Sequence, residues 1–512
     1  MRFSRRTVMA GSLGAVGARA LGAGPAFPVE EASLSELRRA LDAKLISSAG
    51  LVAQYLERIE RLDRHGPQLR SVIELNPDAL AIAKARDAEK PRGPLHGIPV
   101  LVKDNLDTAD AMKTTAGSLA LLDAPTPARD SFVVQRLREA GAVLLGKTNL
   151  SEWANLRGHA STSGWSARGG LTKNPYVTTR NTSGSSSGSA VAVAASLCGA
   201  AIGTETDGSI VSPAQICGVV GFKPTVGLVS RAGIIPLSHT QDTAGPMTRS
   251  VLDAALVLDA IAGVDPRDAA TAKTQLPAGG FAKAAREGSL QGARLGVVRT
   301  LVDKHWLVAP VAREALAALG KAGATLVDVE LPTRAWEAAE LEVLLFDLKA
   351  DLDAYLAERG GPMKSLADVV AFNRAHAAEE LVWFGQEFFE DALKKGPLSS
   401  PEYKKALTTC AQARADLHGV LARHQLDAVV APTGTPAWLT DFVNGDSVLF
   451  SFTSSAAVAG APNLSVPMGF VGELPVSLSF VGAVGNDARV LALGAAFEQV
   501  TKARKPPRYF TR

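Results

Sequence analysis

The sequence predicts an α/β fold, a parallel or mixed β-sheet with helices on its faces. Three observations carry this. The chain has 512 residues and is 46% hydrophobic but only 5% aromatic, a composition suited to a large core packed from small side chains. From His96 to Gly146 it alternates in a strand–helix–strand rhythm. The stretch Ser189–Ala200 is nearly all Ala, Val and Ser, apolar on every side as a buried helix is, and Ala201–Glu205 reads as the strand after it.

Taken in order, the N-terminus reads Met1-Arg2-Phe3-Ser4-Arg5-Arg6, then a Gly/Ala-rich, mildly apolar stretch to about Gly24. Paired arginines before a short apolar region predict a twin-arginine export signal over 1–24, cleaved somewhere in 20–28. An exported protein, periplasmic or secreted, follows, with the twin-arginine export machinery as partner of the precursor. Arg19 and the glycines make this stretch too short and polar to anchor in a membrane.

Residues 25–512 read as one large domain. Leucines at three- to five-residue spacing predict helices over about 29–90. His96–Val102 is a short buried strand, Ser131–Ala140 an amphipathic helix and Ala142–Gly146 the next strand. Residues 158–189 are rich in Gly, Ser, Asn and Thr. They lie mid-chain, which points to an ordered functional loop rather than a linker. Residues 210–250 read as strands and turns. A helical insertion or cap spans about 308–425, broken near Gly360-Gly361-Pro362. Strands at Ala428–Val430 and Val476–Phe480 and a helix over about 488–502 close the chain.

Several function classes drop out. The formal net charge is +3, yet Arg2, Arg5, Arg6 and Arg19 lie in the acid-free leader, which leaves −1 for the rest. No electrostatic case for nucleic acid remains. Three cysteines, Cys198, Cys217 and Cys410, make no disulfide framework and sit in no metal-ligand spacing with histidine. They read as small buried side chains, with one bridge possible after export.

The chemistry concentrates in three places. Ser209 follows Thr206-Asp207-Gly208 and precedes a helix-like start. A glycine there lets several backbone N–H groups aim at one spot, which suits a nucleophile and an oxyanion site; an N-cap serine is the plain alternative. Ser185 stands in Ser183-Gly184-Ser185-Ser186-Ser187-Gly188-Ser189, where Gly184 permits unusual backbone angles. Phosphate binding fails because no Gly-Lys-Ser/Thr ending is present. Lys103 ends an apolar run; buried without a counter-charge, its amine would be held neutral and able to take a proton. A surface lysine paired with Asp104 is the alternative. The run Gly184–Gly188 also matches Gly-x-Ser-x-Gly with Ser186 as nucleophile and His418 or His424 as base, but no strand precedes it.

Read together, these residues resemble the amidase signature family. Gly97–Asn105 looks like its lysine motif, Gly146–Trp153 like its next block, and Ser183 through Gly203-Thr204-Glu205-Thr206-Asp207-Gly208-Ser209 to Thr225 like the signature itself. Asp207 stands where glycine is commoner. With Ala232–Pro236 and Asp242–Met247, this looks most like the bacterial peptide amidases. Ser183 and Ser187 also replace usual glycines.

The resemblance implies a mixed, twisted central β-sheet flanked by helices on both faces. It implies a Ser–cis-Ser–Lys triad of Ser209, Ser185 and Lys103, with an oxyanion hole from the N–H groups of Thr206, Asp207, Gly208 and Ser209. It implies hydrolysis of peptide C-terminal amides or amino-acid amides through an acyl-enzyme, with no metal or organic cofactor. Asn155 is a candidate substrate contact. The alternatives are a broad aryl or aliphatic acylamidase, an exported solute-binding protein, and the amidase subunit of a tRNA-linked amidotransferase, which should lack an export leader.

Overall fold

Two capped helices, α1 (Leu34–Asp42) and α2 (Ser48–Arg58), open the structure, a computed structural model that describes residues 27–331 and 336–511. The export signal expected over 1–24 lies outside the described residues. Ser33 caps α1 reciprocally with Glu36.

The reading of 29–90 as helices needs a correction. After a π-helical turn (Ile59–Arg64), Val72–Leu75 forms a strand, β1, ahead of helix α3 (Ala79–Ala88). Four residues are too few to show a period of their own. Antiparallel pairing with Val143–Thr148 decides their state.

Strands β2 (Pro99–Lys103) and β3 (Val143–Thr148) run parallel, joined by a crossover that carries α4 (Phe132–Glu139). The loop expected over 158–189 is ordered. It holds a small hairpin, β4 (Trp165–Ser166) with β5 (Gly170–Leu171), and many buried polar side chains. Helix α5 (Ser187–Ala194) is buried at all eight positions. Strand β6 (Ala200–Glu205) lies parallel to β2. The span 210–250 contains a short helix, α6 (Val211–Ile216), before β7 (Val220–Lys223) and β8 (Thr243–Thr248).

Helices α7 (Val251–Ile261) and α8 (Phe281–Arg286) lead to β9 (Arg294–Val298) and α9 (Arg299–Val302). The expected insertion over 308–425 is only partly that. Helix α10 (Val308–Lys321) and strand β10 (Thr325–Val329) belong to the sheet layer, since β10 pairs parallel with β9. The helical layer proper is α11 (Glu337–Arg359), α12 (Leu366–Ala375), α13 (Ala377–Glu380), α14 (Glu387–Leu393) and α15 (Pro401–Arg423). Helix α11 stops where the break was expected, with Gly360 and Gly361 at φ 78° and 101°.

Strand β11 (Ala428–Pro432), helix α16 (Ser454–Ala459), strands β12 (Asn463–Val471) and β13 (Leu474–Val481) and helix α17 (Asp487–Thr501) finish the chain. Eleven strands join in one mixed sheet of order β1-β3-β2-β6-β8-β7-β12-β13-β11-β9-β10. A second apolar cluster, including Trp153, Ile235, Leu348, Leu352 and Phe389, glues the helical layer to the loops at one edge of the sheet. Among the described residues the three cysteines are buried and unbridged, and no helix is long and apolar enough to cross a membrane.

Candidate active site

Strands β2 and β6 are parallel neighbours, so their C-terminal ends share one edge of the sheet. Lys103 ends β2, and Thr204 and Glu205 end β6. Helix α5 starts at the same edge, which brings in Ser185 and Ser186. The Lys103 Nζ lies 2.7 Å from Ser185 Oγ, 3.1 Å from Ser186 Oγ, 2.9 Å from Thr204 Oγ1 and 3.4 Å from the Thr204 carbonyl. All four partners are hydroxyl or carbonyl oxygens. The side chain is 0% exposed. Burial pulls its pKa from 10.5 down to about 7, against the opposing pull of the more distant Asp242 and Glu205.

Proton counting shows what a neutral amine meets here. Ser186 donates its own proton to the Thr204 carbonyl at 3.0 Å, so its oxygen can only accept from Lys103. Thr204 Oγ1 already accepts from Asn105 Nδ2 at 3.0 Å. An –NH2 group has two protons and one lone pair. The protons suit Ser186 and Thr204, which leaves the lone pair for the Ser185 hydroxyl. A serine hydroxyl held against such a lone pair can give up its proton.

The Gly184–Ser185 peptide is cis, and the Ser185 carbonyl accepts from Ser151 N–H at 3.0 Å. A Cβ on Gly184 would stand 2.1 Å from Ser151 Oγ, so the close approach requires glycine. Ser209 sits just before α6 and is 8% exposed. Its carbonyl accepts from Ser186 N–H at 3.1 Å, while its hydroxyl has no hydrogen-bond partner among the described residues. Lys103 and Ser185 therefore meet directly, and Ser209 joins them through the backbone.

The turn from Thr206 to Ser209 is braced from outside. The Glu205 carboxylate accepts from Ile210 and Val211 N–H at 2.6 and 2.9 Å. Thr206 Oγ1 donates to Asp242 at 2.6 Å, and Ser454 Oγ donates to Asp207 at 2.5 Å. Burial raises the Asp242 carboxyl to about 6. Gly208 takes φ 76°, with Ser212 and Thr453 within 3.3 Å of where a Cβ would be. These contacts occupy the side chains of Thr206 and Asp207 and fix the path of the turn.

Asn155 ends a turn in which Trp153, Ala154 and Asn155 all have positive φ. Its buried Oδ1 has no hydrogen-bond partner among the described residues. The structure puts it in no hydrogen bond with the Lys103 cluster. The Gly-x-Ser-x-Gly reading is overturned: Ser186 bonds Lys103 and Thr204, while His418 Nε2 accepts from Val484 N–H and His424 caps α15. Lys103 does not pair with Asp104, whose carboxylate takes Thr115 and Arg168. Sequence reasoning missed Ser186 as a lysine partner, Thr204, Asn105, Asp242 and Ser454. Ser186, Thr204 and Asn105 lie inside the motifs and Asp242 opens the block Asp242–Met247, so position could have flagged them; Ser454 had no local signal. Ligand atoms of His239, Asp347 and Asp351 come within 4.8 Å of one another. Asp347 there already accepts from Ser238, Thr240 and Tyr403 hydroxyls.

The family model for amidases matches residues 50–491. The chain belongs to the amidase family. A probable amidase of Arabidopsis thaliana is 42% identical over 499 residues, 94% of this chain and 92% of the relative. The native peptide amidase from Stenotrophomonas maltophilia superposes at TM-score 0.90 with 49% identity, covering 94% of this chain and all of that one. A peptide amidase bound to the competitive inhibitor chymostatin gives TM-score 0.92 and 50% identity over 94% of this chain and 100% of its own. This amidase is a hydrolase acting on amide bonds, with the mixed, helix-flanked sheet of those neighbours.

Proposed function

We propose that this amidase removes the C-terminal amide of peptides, or hydrolyses amino-acid amides, releasing ammonia. One observation carries the reading: an amine buried with no carboxylate partner among the described residues, 2.7 Å from the Ser185 hydroxyl. In the mechanism, Ser209 Oγ attacks the amide carbonyl. Its proton passes to Ser185 Oγ as the Ser185 proton moves to Lys103 Nζ. The N–H groups of Thr206, Asp207, Gly208 and Ser209 hold the oxyanion. The C–N bond breaks, the leaving nitrogen takes a proton back along the same relay, and an acyl-Ser209 ester remains. Water then attacks the ester, gives its proton to the relay and frees the acid. The unpartnered Ser209 hydroxyl turns toward Ser185 when substrate fills the site, as catalytic hydrogen bonds often tighten only in the complex.

The substrate class rests on the likeness to peptide amidases along nearly the whole chain. In this reading the orphaned Asn155 Oδ1 accepts a backbone N–H of the substrate. The paired arginines and the mildly apolar stretch after them support an enzyme that acts outside the cytosol. The test is ammonia release from a small panel: a peptide amide, an amino-acid amide, an anilide and an ester. Fast turnover of the first two is expected. A clear preference for the anilide would replace this reading with a broad acylamidase.

A further inference from the structure

The loop that joins β7 to β8 holds the reacting turn at its end and the helical layer at its middle. At the end, Asp242 accepts from the Thr206 hydroxyl, and Gln241 Nε2 donates to the Thr206 carbonyl at 3.3 Å. In the middle, Ser238, His239 and Thr240 meet Asp347 and Asp351 of α11 and Tyr403 of α15. Asp347 and Asp351 are four residues apart, so they share one face of their helix.

Three acceptor atoms converge there. His239 Nδ1 stands 2.9 Å from Asp351 Oδ2, 3.1 Å from Asp351 Oδ1 and 3.5 Å from Asp347 Oδ1. Each side chain is held by further contacts. Asp347 accepts from the Ser238 and Thr240 hydroxyls at 2.6 and 2.9 Å, and its Oδ1 from the Tyr403 hydroxyl at 2.6 Å. Asp351 Oδ2 accepts from His239 N–H at 2.7 Å. His239 Nε2 lies 3.3 Å from the Tyr403 oxygen. The Tyr403 proton is spent on Asp347, so toward the ring that oxygen can only accept. A neutral imidazole therefore carries its hydrogen on Nε2 and turns a bare Nδ1 toward the carboxylates.

Such an arrangement calls for a cation between the three atoms. Arg231 donates to the His239 carbonyl and is paired with Asp268. Among the described residues no lysine or arginine bonds Asp347 or Asp351. A proton on Nδ1 would bridge to Asp351 alone, leave Asp347 outside the bond, and leave one imidazolium against two carboxylates. A divalent cation would bond all three atoms and balance both carboxylates.

We infer that His239 Nδ1, Asp347 Oδ1 and Asp351 Oδ2 form a site for a divalent transition cation, with zinc the type that imidazole plus carboxylate oxygen suits. Tetrahedral zinc with bonds of about 2.1 Å spaces its ligand atoms about 3.4 Å apart, close to the 2.9 and 3.5 Å separations from Nδ1. His239 is 43% exposed, which gives an ion a way in and leaves the fourth position to water. The Tyr403 contact at Nε2 and the hydroxyls on Asp347 are outer contacts of the kind that orient metal ligands. None of the three residues hydrogen-bonds to Lys103, Ser185 or Ser209. A bound ion fastens the loop to α11 and, through Gln241 and Asp242, steadies the Thr206 end of the reacting turn.

The experiment titrates zinc chloride into the untagged, chelator-stripped protein in competition with a chromophoric chelator. One zinc per chain is expected. His239→Ala and Asp351→Asn should each weaken binding about tenfold or more, and Tyr403→Phe about 10- to 100-fold, while His305→Ala, outside the site, leaves it unchanged. Saturating zinc should raise the melting temperature of the wild type and not of His239→Ala. Diffraction from zinc-soaked wild-type crystals at the zinc edge should give an anomalous peak between His239, Asp347 and Asp351, and this decides the matter if a variant fails to fold. No binding, binding that survives both ligand substitutions, or a peak elsewhere, as at His159 and Asp391, overturns the inference.

Discussion

Lys103 is the residue on which stability and chemistry oppose each other. With its pKa at about 7, the amine is increasingly protonated as pH falls through 7. Activity limited by it should drop tenfold per pH unit below that point and level off above, which a kcat/KM profile measures. Between pH 7 and 10.5 the unfolded lysine binds a proton that the folded one does not. Stability therefore rises with pH across that window and is lost as pH falls. At neutral pH the cost is about 5 kcal/mol. Lys103→Met should lower kcat/KM by about 10² to 10⁴-fold and raise the denaturation midpoint near pH 7. The net gain will be below the full figure because Ser185 and Thr204 lose a partner. Ser209→Ala should lower kcat at least about 10⁴-fold with an unchanged melting temperature, since its hydroxyl makes no hydrogen bond among the described residues. Mass spectrometry of the wild type with an activated ester should find the acyl group on Ser209.

At the scale of elements, two contacts set the geometry. A Cβ on Gly188 would stand 2.4 Å from the main-chain oxygens of both Asn149 and Ser71. Gly188→Ala must lift α5 from β3 by about 1 Å to reach ordinary contact. Ser185 and Ser186 move with it, away from Lys103, so activity should fall about 10²-fold. A crystal structure of the variant would check the displacement. Arg157 is fully buried, bonded to Glu152 and to the Glu380 carbonyl, with the Phe384 ring 4.2 Å from its guanidinium. It ties the turn that ends in Asn155 to α13. Arg157→Leu leaves the buried Glu152 and Glu380 carboxylates without a cation, at a cost of about 3–5 kcal/mol in denaturant unfolding. Faster amide hydrogen exchange over 377–393 should accompany it.

At the scale of the whole molecule, one sheet of eleven strands serves as platform, and the site occupies the edge where β2 and β6 end. The helical layer covers that edge through a separate apolar cluster. Its relation to the sheet rests on that cluster together with buried polar ties such as Arg157 and the Ser238–Asp347 bond at 2.6 Å. The proposed export signal over residues 1–24 makes its own prediction. Replacing Arg5-Arg6 by Lys-Lys should retain the enzyme in the cytosol of a host that has the twin-arginine machinery. Fractionation with an activity assay reads this directly, and unaltered export would discard the signal.

Long periodic or uniformly apolar segments were legible in the sequence: α4, α5, α11, α15 and α17, and strands β2, β3, β6, β11 and β13. Their hydrophobic pattern is local, and burial only confirms it. Short pieces were not. Strands β1 and β10 lack a period of their own and become strands because a neighbouring edge pairs with them. The site divides the same way. Lys103, Ser185 and Ser209 stand in motifs whose residue types and spacing are set by the chain itself. Tertiary structure alone decided that the lysine is dry, that Ser186 and Thr204 use up its protons, and that Asp242 and Ser454 arrive from distant segments to brace the Ser209 turn. A pKa depends on the water and charges within a few ångströms in space, and no count along a chain supplies that distance.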